Sequence, residues 1–501
     1  MKSGLATRPT APTFGGRSVR DVLFVVLVLA TAVMIGAAVA LAPIIGLAAA
    51  GGLGALWLFS YGQRMIPVFH VALIAILVGY AFLGRGMAYI GVAPLFVGEM
   101  VLGLGLLAIV VSLPTARWHP VHLAIALFMA WGLIRTVPYI GTWGIDALRD
   151  GVAYGYAVFA VAVSLTVRRL HIAPLLQMYQ RWIPVFVLWV PVAAIAYTVF
   201  EPNLPRVPNS DVPIFVFKGG DTGVHLGAMG TFMILGLGGH THQVRDALTW
   251  LGWIVAVGVT GVLNRGGMVA ASTMALALLF GRSTRWFSLV LVGLFLVVVV
   301  GLVDPQVDIG VARRISVDQI VANATSVFGG GDAVLDGTKA WRLQWWDKII
   351  QYTIGGEYFW SGKGYGINLA DADGFQVTAD GSLRAPHNGH IEVLARAGVP
   401  GLLLWIGVQL AFGLTMLRAA TRARRAGLAR WVAIVGWVTV YWLAALVNTS
   451  FDVYLQNPMG GIWFWSIVGL GIAVAQIVDR IIAERADRPA GDPGAVAAAS
   501  V

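Results

Sequence analysis

The chain has 501 residues, of which 58% are hydrophobic and 12% charged, with a formal net charge of +10 and no cysteine. Soluble domains carry about 25% charged residues, so this composition excludes a water-soluble globule, and the missing thiols exclude disulfides, thiolate metal sites and cysteine nucleophiles. The basic residues stand in short clusters between apolar runs and form no continuous patch, which excludes a nucleic-acid groove and assigns the positive charge to membrane orientation.

Backbone amides in hydrocarbon must be satisfied within their own segment, and the apolar runs are far longer than barrel strands, so the spans are helices. The fold class is all-α: a polytopic membrane protein with about 12–14 transmembrane helices and one large periplasmic helical loop. In chain order, residues 1–21 are a polar, basic cytoplasmic tail. The apolar run behind it has no small-residue cleavage site, which predicts a retained first span. Apolar windows then place spans near 22–41, 42–60, 66–84, 90–112, 118–136, 150–167, 182–200, 222–238, 248–263, 266–281 and 285–303, a bundle over 22–303. Residues 304–397 form the large outer loop, 398–480 hold spans near 398–417, 430–448 and 459–478, and 481–501 form a cytoplasmic tail whose small, Pro-containing composition predicts disorder.

Cytoplasmic loops are enriched in Lys and Arg. With the N-terminus inside, the inner loops receive Arg64, Arg117, Arg168, Arg169, Arg181, Arg245, Arg282 and Arg285, then Arg418, Arg422, Arg424, Arg425 and Arg430. Three short outer loops break the rule, those carrying Arg85, Arg135 and Arg149.

Within 304–397, Leu343, Trp345, Trp346, Ile349, Ile350 and Ile354 recur at helical spacing and predict an amphipathic helix at the membrane surface. Gly362-Lys-Gly-Tyr-Gly366 is a turn, and a second helix is expected from Pro386, with Glu392 and Arg396 paired four apart and a stop or kink at Gly398. Arg265, at the outer end of two closely spaced spans, either faces this loop or snorkels to the headgroups. Arg342 heads the amphipathic helix and offers a planar fork to a phosphate; Lys363 and Arg384 are candidates of the same kind. His387 and Asn388 open the second helix, with His390 expected on the same face, and a histidine at a helix start tends to stay neutral and able to accept a proton. Glu99 is placed deep in the fourth span and read as a helix-to-helix hydrogen bond. Asp371-Ala-Asp373 and His240-Thr-His242 are set aside as metal sites, and no nucleotide-binding or zinc-protease motif occurs.

His387-Asn, nine residues, then Gly398-Val-Pro-Gly401 resembles the signature of the O-antigen ligase and polymerase superfamily, and Asn264-Arg265-Gly266-Gly267 looks like its Ser-Arg-Gly motif with Asn in place of Ser. Arg342, Trp346 and the Gly362–Gly366 turn resemble its loop pattern in the same order, and the resemblance covers roughly 220–460. The resemblance implies a glycosyltransferase needing no metal or cofactor, working at the periplasmic face of the bacterial inner (cytoplasmic) membrane. It implies His387 as the base and Arg265 and Arg342 as essential arginines; Asn388, Lys363 and Arg384 are expected, with the two arginines, to bind substrate. The expected donor is a glycan on polyprenyl (undecaprenyl) diphosphate, the expected acceptor a lipid or glycan hydroxyl. An O-antigen ligase acting on lipid A-core is preferred, a polysaccharide polymerase is the alternative, and a lipid-linked glycan flippase or transporter is the rival from another class.

Overall fold

Long apolar windows broken by short polar turns produce helices almost throughout. The computed structural model describes residues 62–281, other than 93, 94, 209 and 240–242, and residues 333–487, with strand pairs Thr13–Phe14 to Arg17–Ser18 and Val307–Asp308 to Arg314–Ile315. The predicted spans 22–41, 42–60 and 285–303, and the pair His240 and His242, lie outside the described residues. The chain divides into Met1–Ile66 and Pro67–Val501; the first holds the Thr13–Phe14 strand pair and a 3-10 turn at Gly62–Arg64.

Among the described residues, eight helices are long and apolar enough to cross a membrane. The chain is a multi-pass, all-α membrane protein. The helices used below are α1 (Met65–Leu83), α2 (Val97–Ser112), α3 (Pro120–Thr136), α4 (Ala157–Thr166), α5 (Arg169–Phe200), α6 (Gly219–Ile234), α7 (Gln243–Leu263), α8 (Arg265–Ser272), α9 (Ala333–Ile354), α10 (Gly389–Arg425), α11 (Ala429–Thr449) and α12 (Pro458–Ala486). Helices α11 and α12 are the most enclosed of the candidate spans and form the centre.

Several spans differ from expectation. The predicted span 182–200 is the second half of α5, which begins at Arg169 and takes in Arg181, so Arg181 is not a loop residue. Its three internal prolines, Pro174, Pro184 and Pro191, concealed the helix; membrane helices tolerate prolines that would break a helix in water. The predicted spans 222–238 and 266–281 are shorter than a bilayer requires: α6 has 16 residues, and α8 has 8 and tightens into a 3-10 segment at Thr273–Leu279. At about 1.5 Å per residue, α6 is shorter than a ~30 Å hydrocarbon core. Protein surrounds it on nearly all sides. Glu99 lies in the first turn of α2 instead of deep within it, and accepts from the Tyr156 hydroxyl at 2.8 Å, a helix-to-helix bond as expected.

The segment after 333 has its own small core, in which Trp345 and Ile349 of α9 meet Leu369, Ala370, Leu394 and Ala395. The opposite face of α9 leaves Leu343, Ile350 and Ile354 exposed, as expected of a helix lying on a membrane surface. Buried charges tie this unit to the bundle. Arg396 pairs with Glu392 at 2.9 Å, as its spacing predicts, and with Asp150 at 3.0 Å. The three arginines that break the loop-charge rule lie at this end. Arg135 donates to the Ser361 carbonyl at 2.7 Å, Arg149 pairs with Asp146 at 3.3 Å, and Arg85 lines a cavity described below.

Candidate active site

Helix α8 is capped by Asn264, whose side-chain oxygen accepts from the Gly267 amide at 2.7 Å. Asn therefore serves here as Ser would. A Cβ on Gly267 would stand 2.2 Å from the Gly219 carbonyl oxygen, and one on Gly266 would stand 2.9 Å from Cβ of Phe451. The two glycines let α8 lie against the start of α6 and against the turn joining α11 to α12, and Arg265 is fixed between these contacts as the first residue of α8.

Helix α9 approaches the same turn, where Nη1 of Arg342 donates to the Phe451 carbonyl at 3.3 Å. Its Nε is buried without a protein acceptor, a donor held ready for an anion. Burial lowers the Arg342 pKa from its ordinary value; Asp452 opposes that shift, and nearby Arg265 adds to it. One helical turn on, Nε1 of Trp346 donates to the Pro386 carbonyl at 2.7 Å. The Arg342 and Trp346 pair thus places a cation and grips the chain just before His387.

His387 is the one non-glycine residue with positive φ among the described residues, at 52°. Such a backbone is uncommon and costs strain, which concentrates at functional sites. The expected helix start at Pro386 is displaced: α10 begins at Gly389, because Asn388 caps it by accepting from the His390 and Ile391 amides at 3.0 and 3.1 Å. Its carboxamide oxygen is thereby engaged, and His387 sits just outside the cap. The ring is 34% exposed, and its Nδ1 faces Oδ1 of Asp452 at 3.8 Å, within a small rotation of a hydrogen bond.

Asp452 also pairs with Lys218, the N-cap of α6. Lys218 lies 3.7 Å from Asp221, which accepts from Nδ2 of Asn448 at 3.3 Å. Burial acts to raise the Asp452 pKa, but Lys218, His387 and the Val453 amide together hold it well below the usual carboxylate range. Burial acts to lower that of Lys218, and Asp221 and Asp452 more than reverse it. With Nδ1–H directed at an ionised Asp452, Nε2 of His387 carries the free lone pair, as a general base requires.

The other sequence candidates are placed elsewhere. His390 accepts from Nε1 of Trp405 at 3.0 Å, turned into the bundle and away from His387. Lys363 contacts Asp373 at 2.5 Å within the loop, and Arg384 contacts the Gly366 carbonyl at 2.7 Å and, on the bundle, Asp150 at 3.0 Å. Asp373 is taken up by Lys363 and Trp345.

Residues 250–406 match the family model described as O-antigen ligase. This segment of the chain is similar to the O-antigen ligase family. No curated protein matches it. The matched residues contain Arg265, Arg342 and His387, while Lys218 and Asp452 lie on either side of them. These two, with Asp221 and Asn448, are what the sequence reading missed. The available signal was acidic residues at the ends of apolar runs, in a chain with only 24 acids.

His387 and Lys218 also line a cavity of about 410 Å³, whose walls include Asp221, Arg384, Arg85 and His225. Arg265 and Arg342 are not among its lining residues.

Proposed function

We propose that this protein is a glycosyltransferase of the O-antigen ligase type, which moves a glycan from a polyprenyl diphosphate to an acceptor hydroxyl at the periplasmic face of the bacterial inner membrane. The observation that carries the reading is the meeting of His387, Arg342 and Arg265 around the Phe451 and Asp452 turn. Nε2 of His387 takes the proton of the acceptor hydroxyl as its oxygen attacks the anomeric carbon. The bond from that carbon to the diphosphate oxygen breaks with its electron pair leaving on the diphosphate, and Arg265 and Arg342 stabilise the departing charge. Direct attack inverts the anomeric configuration. Two guanidinium groups carry the leaving-group charge, so the reaction is proposed to need no metal. Asp452 orients the histidine, and Lys218 keeps Asp452 ionised.

The acceptor separates two readings that share this chemistry: lipid A-core for a ligase, another lipid-linked glycan for a polymerase. A flippase would be served by charges along a central path, whereas these gather at one end of the bundle. The test is a reconstituted assay with purified lipid-linked donor and a panel of acceptors. His387→Ala, Arg265→Ala and Arg342→Ala should insert normally and lose transfer, and transfer should survive a chelator. Full transfer by the His387 variant would sink the assignment.

A further inference from the structure

Of the three arginines that break the loop-charge rule, Arg135 and Arg149 are engaged by the chain itself, at the Ser361 carbonyl and at Asp146. Arg85 is different. Among the described residues its guanidinium has a neutral partner, the Tyr89 hydroxyl at 3.0 Å, and no acidic one. The local chain holds it in place. Gly84 turns with φ 58° at the end of α1, and a Cβ there would stand 2.5 Å from the Val216 carbonyl oxygen. A Cβ on Gly86 would collide with the Ile214 carbonyl. The two glycines let the segment leading into Lys218 press against this turn, where the Val216 amide donates to the Leu83 carbonyl at 3.1 Å.

Arg85 thereby lines the cavity of about 410 Å³ that His387 also lines. The other charged groups in its walls are Lys218, Arg384 and Asp221. Lys218 is met by Asp221 and Asp452, and Arg384 by Asp146 and Asp150, although Nε of Arg384 stays buried without an acceptor. The unmatched charge of the cavity is therefore positive and stands on Arg85. Trp189 and Phe215, with ring centroids 5.7 Å apart, supply an aromatic wall. Apolar walls with a few convergent polar groups are what a small-molecule site requires. A cavity of about 150 Å³ holds benzene, so this one takes roughly one or two six-membered sugar rings with their substituents.

We propose that the cavity receives the acceptor sugar in acidic form, a sugar of the uronic acid type, and that Arg85 selects it by gripping the carboxylate with its planar fork. The proposal rests on the function proposed above, in which His387 faces the acceptor hydroxyl. The donor's charge is provided for elsewhere, because Arg265 and Arg342 are not among the lining residues. Arg85 makes and breaks no bond; it sets which acceptor is held.

The test is binding to the full-length protein in detergent, followed by saturation-transfer NMR. The probes are the methyl glycosides of glucuronate, galacturonate and mannuronate, each against its neutral hexose counterpart. At least one uronide should bind about tenfold or more tightly than its counterpart, the gain expected of one charge-assisted contact. Equal binding within every pair would overturn the proposal. In Arg85→Gln the preference should fall below about twofold, and Arg85→Lys should keep part of it. A preference intact in Arg85→Gln would remove Arg85 as the selecting residue. Inorganic pyrophosphate at equal concentration should leave the uronide bound; competitive displacement would give the cavity to the donor diphosphate and overturn the proposal. The reconstituted assay keeps the two readings apart. A uronide preference without transfer to any acceptor is failure of the glycosyltransferase reading alone, and transfer without the preference is failure of this one.

Discussion

His387 and Asp452 face each other across 3.8 Å, although two membrane helices separate them along the chain. The contact depends on an unusual backbone at His387, held by Trp346 on one side and by the Asn388 cap on the other. On the proposed reading this gives the site a direction, with the histidine's other nitrogen left for substrate.

Asp452→Asn keeps the shape and removes the charge that orients His387. In the reconstituted assay kcat is expected to fall by on the order of 10²-fold, with KM for the donor changed little. A change confined to KM would mean that Asp452 touches substrate instead of positioning the base.

Lys218→Met removes the strongest influence lowering the Asp452 pKa. A carboxylate whose folded pKa is depressed contributes stability and orientation fully above its unfolded value of about 3.9, and loses them as pH falls through the folded value. In the unaltered protein Asp452 therefore stays ionised throughout ordinary assay conditions. In Lys218→Met its titration moves upward, and the acid limb of the activity profile should move to higher pH with it. Asp221, His387 and Arg342 are the other charged or titratable groups close to this pair, so the control is Asp221→Asn, which leaves Lys218 in place. An unchanged profile in Lys218→Met would remove Lys218 from the site.

Arg342→Lys preserves charge and loses the planar fork and the buried Nε donor. Activity should fall by at least about tenfold while the protein still inserts. The double variant with Arg265→Lys is expected to lose less than the product of the two single losses, because both act on one diphosphate. Multiplicative losses would place the arginines on separate groups.

Gly398→Ala tests the kink in α10. Gly398 has φ 69°, and a Cβ there would stand 2.6 Å from the Phe359 carbonyl oxygen. A cost of about 1–3 kcal/mol is expected, read as earlier thermal unfolding in detergent. Gly407→Ala, on the same helix with open space around it, should be neutral or slightly stabilising.

Composition and hydrophobic length were enough to determine an all-α membrane protein, because lipid leaves the backbone no alternative to satisfying itself within helices. The local motifs around Arg265, Arg342 and His387 were also legible, since each is a short run whose residues act together: a cap, a pair one turn apart, a helix entry. Hydropathy could not tell a membrane span from a helix enclosed by protein, which is why α6 and α8 were read as spans and the proline-interrupted start of α5 was passed over. Nor could it show that Lys363 and Arg384 pair with Asp373 and Asp150, or that Lys218 pairs with Asp452 beside His387. Those pairings join residues far apart in the chain, and only the packing of α6, α8, α9 and α10 around one turn brings opposite charges close enough, and dry enough, to act on one another.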